Sequence, residues 1–394
     1  MNSGAVVPIS SIVETAPLIL DIGIVLGLAG LLGLFSRKLG LPAILGYLLT
    51  GIIVSPFTPG YVSSFNQLTL LADIGVVLLL FEVGIELDLS RLSRERRGLL
   101  WSVPLQVLIG VLVTVPILIF LGLATFGAVL IALSLTMSSS VVIVNITRSR
   151  RRTTDVETEE SLLGWSLIQD LTGVMAASIA IAVLSKTQKS ALISFGGLLL
   201  FLAISIVSAR LIPLWLRAVR WEGDLFLLFS VSIGLSLAAI GTVYFDIPMA
   251  LAAFVAGLAI NQSHDTDEVR RVLLPFRDLF AVLFFVVIGS LIQPKFLREA
   301  LPFALLLLLL LILTKTIPVY LLSRISKITA RPGQLAIGLS QVGEFSFVLG
   351  SLAFSHGVIT QIQFTGLLMS VVASIAISTL LVRFIHRNEV PEES

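Results

Sequence analysis

The chain is dominated by a succession of apolar runs, each close to the length that a membrane-spanning helix needs. A helix must present about 20 apolar residues to cross the hydrocarbon core of a bilayer. Of the 394 residues, 56% are hydrophobic and only 13% are charged, a far more apolar balance than that of soluble domains. We therefore predict an all-α polytopic membrane protein that lies in a lipid bilayer.

The apolar runs predict thirteen transmembrane helices. Two of them, 41–56 and 248–262, are short and interrupted by glycine, which indicates tilted or partly re-entrant helices. Residues 17–385 are expected to form one transmembrane domain, between an N-terminal tail (1–16) and a C-terminal tail (386–394). The predicted spans are 17–36, 41–56, 68–87, 99–121, 126–146, 161–184, 190–215, 224–244, 248–262, 275–292, 300–323, 333–355 and 363–385.

The basic residues predict how the chain is oriented in the membrane. Of the 26 Lys and Arg residues, 20 lie in the loops that follow odd-numbered spans or at the span ends beside those loops. Cytoplasmic loops carry the excess of positive charge, so we expect the N-terminus outside and the C-terminus in the cytoplasm. A prokaryotic inner membrane fits this arrangement, and the loops explain the basic composition without a nucleic-acid partner. The opposite loops hold only Lys186, Lys189, Lys295 and Arg298.

Several chemistries are disfavoured by the residue types. The chain contains no cysteine and has three scattered histidines, His264, His356 and His386, so thiol chemistry and a zinc centre are not expected. No phosphate-binding loop and no nucleophile–base set can be recognised. We predict that the protein is not an enzyme and needs no cofactor.

An internal repeat relates the two halves of the chain at an offset of about 206 residues. The stretch 41–55 aligns with 247–261, which superposes Pro42 on Pro248 and Gly51 on Gly257. At an offset of 205, Gly84 aligns with Gly289. Seven spans separate the copies, and this odd number predicts inverted repeats, which are typical of secondary transporters. The alternative is that apolar sequence aligns by chance.

Each repeat contains one conspicuously polar span. "SLTMSSS" (134–140) puts five hydroxyl residues into an apolar helix, and "SQVGEFS" (340–346) puts Gln341, Gly343 and Glu344 into its counterpart. Polar backbone at membrane depth is tolerated where it lines a cavity or finds internal partners. We predict that both helices unwind here and cross, with fixed charge balancing the exposed helix dipoles. Packing of small hydroxyl residues between helices is the alternative.

Asp170, in "GWSLIQDLTGV", is the main candidate for the functional group. It lies about nine residues into its helix, close to mid-bilayer. A carboxylate at this depth must face a cavity or a partner. Burial favours its protonated form and a bound cation favours its ionised form, so one group can bind either H⁺ or a small cation. The alternative is a structural, hydrogen-bonded aspartate.

The neighbours of Asp170 refine this hypothesis. Gln169 can offer an amide oxygen but cannot titrate, which predicts one proton exchanged for one monovalent cation. Lys315 lies mid-span, where it could neutralise Asp170 or Glu344, or balance the crossed helix ends. The sequence does not select among these roles. Nearer the cytoplasm, Glu82, Glu86 and Asp88 are predicted to form interfacial ion pairs with residues such as Arg91 and Arg94.

These stretches together resemble the cation:proton antiporter-2 family, which includes Kef-type potassium efflux systems, plant KEA exchangers and bacterial Na⁺/H⁺ antiporters. The resemblance covers almost the whole chain. It is carried by "LGYLLTGIIVSP", "LLLFEVGIELDLSRL", "LIALSLTMSSSVVIV", "SLLGWSLIQDLTGV", "LPFRDLFAVLFFVVIGSLI" and "LSQVGEFSFVLG".

The resemblance implies a homodimer in which a dimerisation part supports a moving six-helix core. It places the dimerisation part at about 17–98 and 190–292, and the core at about 99–185 and 300–385. Compared with Kef systems, we expect no C-terminal regulatory domain, so a separate regulatory subunit is left open. The crossed, unwound helices correspond to the two polar spans.

The resemblance also assigns roles to residues. It implies that Asp170 binds the ion, K⁺ or Na⁺, and that Lys315 is the basic residue of the core. In this family a Gln before the aspartate goes with potassium exchange, so Gln169 favours K⁺/H⁺ exchange that is electroneutral. Sodium/proton exchange, a channel-like cation pathway and a sensor with a vestigial core are the alternatives. The predicted ion- and proton-binding residues are Asp170, Gln169, Thr136, Ser138 and Ser139, and those predicted to balance charge are Lys315, Glu344 and Gln341.

Overall fold

Every regular element in the described part of the chain is helical. The computed structural model describes residues 10–58, 65–86, 97–139, 142–143, 155–184, 223–245, 249–261, 266–328, 330–343 and 345–385, together with 197, 200, 201, 203–205, 207, 208, 210 and 211. The α-helices are α1 (Ser10–Lys38), α2 (Ala43–Ile53), α3 (Phe65–Glu86), α4 (Arg97–Phe120), α5 (Thr125–Thr136), α6 (Val156–Leu184), α7 (Gly223–Phe245), α8 (Met249–Asn261), α9 (Thr266–Ser290), α10 (Leu297–Leu311), α11 (Ile317–Ile325), α12 (Pro332–Leu339), α13 (Phe345–Ser355) and α14 (Gln361–Ile385).

Several of the described helices coincide with predicted spans. Within the described residues, six helical stretches are long and apolar enough to cross a membrane, among them most of α4, α7 and α14. The two spans predicted to be short are indeed short, because α2 has 11 residues and α8 has 13. The number of thirteen helices stays a prediction, since much of the seventh predicted span (190–215) lies outside the described residues.

The chain forms two compact units. The first unit consists of Met1–Val76 and Phe276–Pro294. In it α1 packs closely on α2, because Gly46 brings the α2 backbone against the backbone of Leu32. The second unit consists of Val77–Pro275 and Lys295–Ser394 and contains the two polar helices. The sequence predicted a different division, into a part that forms the dimer and a core that moves. That division stays a prediction.

The second unit is built around a helical bundle with a large apolar core. Trp165 on α6 is fully buried and packs in a cluster with Leu335 and Leu339 of α12. Burial of these large apolar side chains stabilises the packing of α6 on α12 without help from polar contacts. In the same unit Glu82 of α3, which is 1% exposed, accepts a 3.0 Å hydrogen bond from Nε of Arg270 on α9. An ion pair was predicted for Glu82, and its partner is Arg270; Arg91 and Arg94 lie outside the described residues.

Two close glycine contacts agree with the internal repeat. In the first unit, a Cβ built on Gly51 would lie 2.8 Å from the Cα of Gly289. In the second unit, a Cβ built on Gly84 would lie 2.9 Å from the Cα of Gly257. The repeat equates Gly51 with Gly257 and Gly84 with Gly289, so each contact is the counterpart of the other. Small residues at such positions let helix backbones approach where lipid provides no hydrophobic driving force.

We expect Gly84→Ala to lower the thermal stability of the protein. The added methyl group would overlap the carbonyl oxygen of Phe254, so α3 and α8 would have to separate. Overpacking of this kind costs about 1–3 kcal/mol. Unfolding in detergent, followed by size-exclusion chromatography after heating, measures the effect. Gly333→Ala is the control, because a Cβ there meets no described atom within 4 Å; equal melting temperatures for the two variants would contradict the close contact.

Candidate functional site

Both polar helices are interrupted where the sequence predicts it. Helix α5 ends at Thr136, and Met137 continues in extended conformation. Helix α12 ends at Leu339, residues 340–343 are non-helical, and α13 begins at Phe345. The predicted interruption is therefore confirmed at 137–139 and 340–343, whereas 134–136 and 345–346 are helical; Ser140 and Glu344 lie outside the described residues.

The two unwound segments are joined directly by hydrogen bonds. The Gly343 amide donates to the Met137 carbonyl at 2.9 Å, and the Ser138 hydroxyl donates to the Leu339 carbonyl at 2.9 Å. The side chain of Gln341 makes two further bonds to the backbone of Ser139, accepting from its amide at 3.0 Å and donating to its carbonyl at 3.1 Å. These bonds satisfy backbone groups that have no helical partner, as burial in a membrane protein requires.

Gly343 allows this close approach. A Cβ at this position would lie 2.8 Å from the carbonyl carbon of Ser138, which is backbone and cannot rotate away. Gly343 was noted in the sequence as part of a polar stretch, and its role is steric. The crossing is therefore specified both by a missing side chain and by the hydrogen bonds beside it.

Lys315 neutralises the ends of the two interrupted helices. Its Nζ donates to the Met137 carbonyl at 2.8 Å and to the Gln341 carbonyl at 2.7 Å, and the residue is fully buried. Each helix C-terminus carries about half a negative charge, so two of them match one ammonium group. Of the three roles that the sequence left open, the geometry favours the balance of helix ends.

A π-helical turn presents Lys315 to this position. Residues Ile312–Thr316 form the turn, between α10 and α11. A π turn inserts extra chain into a helix and is frequent at functional sites. Next to Lys315, the Thr316 hydroxyl lies 2.7 Å from the Ser340 hydroxyl of the second unwound segment, which ties the same turn to the crossing.

Asp170 lies on the side of α6 that packs against the first unwound segment. A Cβ on Gly173, one turn further along α6, would overlap the side chain of Met137. Residues three apart share a face of a helix, so Asp170 and Gly173 face the same neighbour. Asp170 is 6% exposed. This face of α6 therefore lies against Met137, whose carbonyl accepts the hydrogen bond from Lys315.

The hydroxyl residues predicted to bind the ion lie in or next to this region. Thr136 donates to the Leu133 carbonyl at 2.8 Å, and Ser138 donates to the Leu339 carbonyl as described above. Each hydroxyl uses its hydrogen in this way and keeps oxygen lone pairs that a cation could use. Ser139 takes part through its backbone bonds to Gln341.

Gln169 has a partner that the sequence reasoning missed. Its Nε2 donates to Oε1 of Gln106 on α4 at 2.6 Å, and both residues are fully buried. A signal for Gln106 was available, because a polar side chain in an otherwise apolar span must find an internal partner. The sequence could not say which partner, since this depends on how α4 packs on α6.

Comparison with known proteins identifies the family. The family model described as "Sodium/hydrogen exchanger, transmembrane" matches residues 23–387. The chain is 30% identical over 400 aligned positions to YbaL of Escherichia coli strain K12, which is named as a candidate cation/proton antiporter; the match covers 96% of this chain and 71% of YbaL. The chain belongs to the sodium/hydrogen exchanger family. It is an integral, multi-pass membrane protein and a cation/proton antiporter of that family.

The fold of this antiporter is similar to that of an antiporter whose structure has been solved. The sodium proton antiporter MjNhaP1 from Methanocaldococcus jannaschii at pH 8 superposes with a TM-score of 0.75 at 18% identity, covering 94% of this chain and 99% of MjNhaP1. An electron-microscopy structure of MjNhaP1 gives a TM-score of 0.62 at 18% identity, covering 95% and 99%. At this identity the likeness establishes the fold, and the fold class predicted from the sequence is confirmed.

Replacing Lys315 in the antiporter tests its role at the helix ends. We expect Lys315→Met to be strongly destabilising, because two carbonyls and two helix dipoles lose their positive partner inside the protein. Removing one partner of a buried charged arrangement costs about 3–5 kcal/mol. The melting temperature in detergent measures this loss. Lys295→Met, the same change at an exposed lysine stacked 4.7 Å from the Phe296 ring, should leave the melting temperature almost unchanged; similar values for both variants would exclude the proposed charge balance.

Proposed function

We propose that this antiporter exchanges one H⁺ for one monovalent cation, with K⁺ favoured, and that Asp170 binds the two ions in turn. The observation that carries the proposal is the position of Asp170, buried on the face of α6 that packs on the unwound end of α5. Protonation and cation binding at one carboxylate exclude each other. Competition of this kind couples the two ions without further machinery.

Alternating access completes the proposed cycle. Inverted-repeat transporters bind substrate near the midplane, where interrupted helices meet, and expose the site to each side in turn. We place the N-terminus outside and the C-terminus in the cytoplasm, following the excess of basic residues in the loops after odd-numbered spans. In this cycle the neutral ligands beside the carboxylate are the hydroxyl oxygens of Thr136, Ser138 and Ser139.

Lys315 supports a stoichiometry of one proton for each cation. Its ammonium group is held by two carbonyl oxygens, which can only accept hydrogen bonds and therefore favour the charged form. A lysine that stays charged through the cycle contributes no second proton. Gln169 cannot titrate, so Asp170 is left as the proton carrier and the exchange of H⁺ for a monovalent cation moves no net charge.

The identity of the cation is argued from the ligands next to Asp170. A site with one carboxylate and otherwise neutral oxygens has a weaker field than a site with two acids, and the number and field strength of ligands contribute to selectivity among alkali cations. Gln169 thus favours K⁺, the larger and less strongly hydrated ion. Sodium is the second candidate, because MjNhaP1, which shares the fold, is described as a sodium proton antiporter.

Replacement of Asp170 is the direct test. We expect Asp170→Asn to abolish exchange in liposomes, because the amide can bind neither a proton nor a cation by charge. Internal pH reported by a trapped dye, after a jump in external K⁺, Na⁺ or Li⁺, measures the activity. Asp155→Asn is the matched control: Asp155 is exposed, and an asparagine can still cap the Thr158 amide that it binds at 2.7 Å. Exchange at the wild-type rate by Asp170→Asn would rule out the assigned site.

Charge movement tests the stoichiometry separately. On solid-supported membranes, K⁺ or Na⁺ jumps should produce no sustained charge displacement from the wild-type protein, although the dye assay reports proton flux. Gln169→Asp adds a second titrating group, so we expect charge displacement to appear and preference to shift toward Na⁺. Sustained charge movement by the wild type would show that a second proton is carried.

A further inference from the structure

The buried pair of glutamines between α4 and α6 leaves two polar groups open. The 2.6 Å bond uses one N–H of Gln169 and the oxygen of Gln106. Within the described part of the chain, Gln169 Oε1 and Gln106 Nε2 have no hydrogen-bond partner, and both are buried. Buried polar groups are rarely left in this state unless a water, an ion or a function accounts for them.

The pair lies next to the unwound helix. On α4, Gly110 follows Gln106 by one turn and therefore shares its face. A Cβ on Gly110 would overlap the methyl group of Thr136, the last residue of α5, and would lie 3.7 Å from the Thr314 carbonyl in the π turn. The face of α4 that carries Gln106 is thus the face packed on α5 and on the turn that holds Lys315.

The hydrogen bond decides which end of the Gln169 amide is available. An amide offers an oxygen that binds cations and an NH₂ group that repels them. Because the NH₂ group of Gln169 is engaged by Gln106, the oxygen is the group left open beside Asp170. Without this bond the amide could rotate and present its NH₂ group instead.

We propose that Gln106 is a positioning residue for cation selectivity, which fixes the carbonyl oxygen of Gln169 as a neutral ligand for the cation that Asp170 binds. This inference rests on the proposed function. It gives α4 a part in the site, although α4 contributes no acid and none of the residues that the sequence predicted to bind the ion. It also predicts that cation affinity can change while turnover does not, because Gln106 cannot titrate and acts through its hydrogen bond to Gln169.

The test uses substitutions that keep the length of the side chain. Gln106→Met removes the acceptor, and we expect the KM for K⁺ to rise about tenfold, the loss typical of one hydrogen-bonded ligand. The maximal rate should stay within about twofold of the wild type, because each turnover still uses Asp170. The ratios of the KM values for Na⁺ and Li⁺ to the KM for K⁺ should move toward one, because selectivity is lost.

A double-mutant cycle and a matched control make the test specific. If Gln106 acts through Gln169, then Gln106→Met should have no further effect in a Gln169→Met background. Thr114→Val changes a buried, unpartnered polar residue two turns along the same face of α4, and should leave KM and rate unchanged. If Gln106→Met does not fold, Gln106→Leu also removes the acceptor and gives the same comparison.

The outcomes separate this inference from the proposed function. Additive effects of Gln106→Met and Gln169→Met, or a fall in maximal rate with KM unchanged, would overturn the positioning role even if Asp170→Asn is inactive. An equal rise in the KM for K⁺ in Thr114→Val would show that Gln106 contributes only to packing. If instead Asp170→Asn remains active, the proposed function is wrong, and the positioning role that rests on it is wrong as well.

Discussion

The structure of the site depends on one buried ammonium group held between two carbonyl oxygens. Lys315 lies where α5 and α12 both end, so the two helices can stop in mid-membrane with their carboxyl ends close together. Without a positive charge, two like-signed dipole ends would repel each other in a medium of low dielectric constant. The side-chain bonds of Gln341 and the missing side chain of Gly343 then hold the segments in register. Asp170 is placed against this arrangement by the packing of Gly173 on Met137.

The division of labour between Lys315 and Asp170 follows from this geometry. The lysine is bound to backbone carbonyls and so acts as a fixed part of the scaffold, whereas the carboxylate belongs to a helix that merely packs on the crossing. In the cycle that we propose, Lys315 keeps its charge, so the field at the Asp170 carboxylate stays constant. The ion bound there would then be decided by the concentrations of H⁺ and the cation on the side that the site faces.

Much of the fold could be predicted from the sequence, because apolar length and glycine position are local signals. The breaks at 137–139 and 340–343 lie within stretches that are polar in the sequence, and the alignment of Gly51 with Gly257 agrees with two equivalent backbone contacts. The role of Lys315 was not predictable, since three partners lay at similar depth and only packing selects among them. Gln106 was missed for the same reason: a single glutamine shows that a partner exists and does not reveal which helix supplies it.

The π turn at Ile312–Thr316 has a consequence for how chains of this kind can vary. A π turn shifts the angular phase between the helix before it and the helix after it, so α10 packs on α14 while α11 packs on α12. Deleting one residue within the turn would restore a regular helix and swing the lysine by about 100° from the carbonyls. The length of this short segment is therefore as tightly constrained as the identity of the residue it presents, and homologous chains should tolerate gaps in their loops but not here.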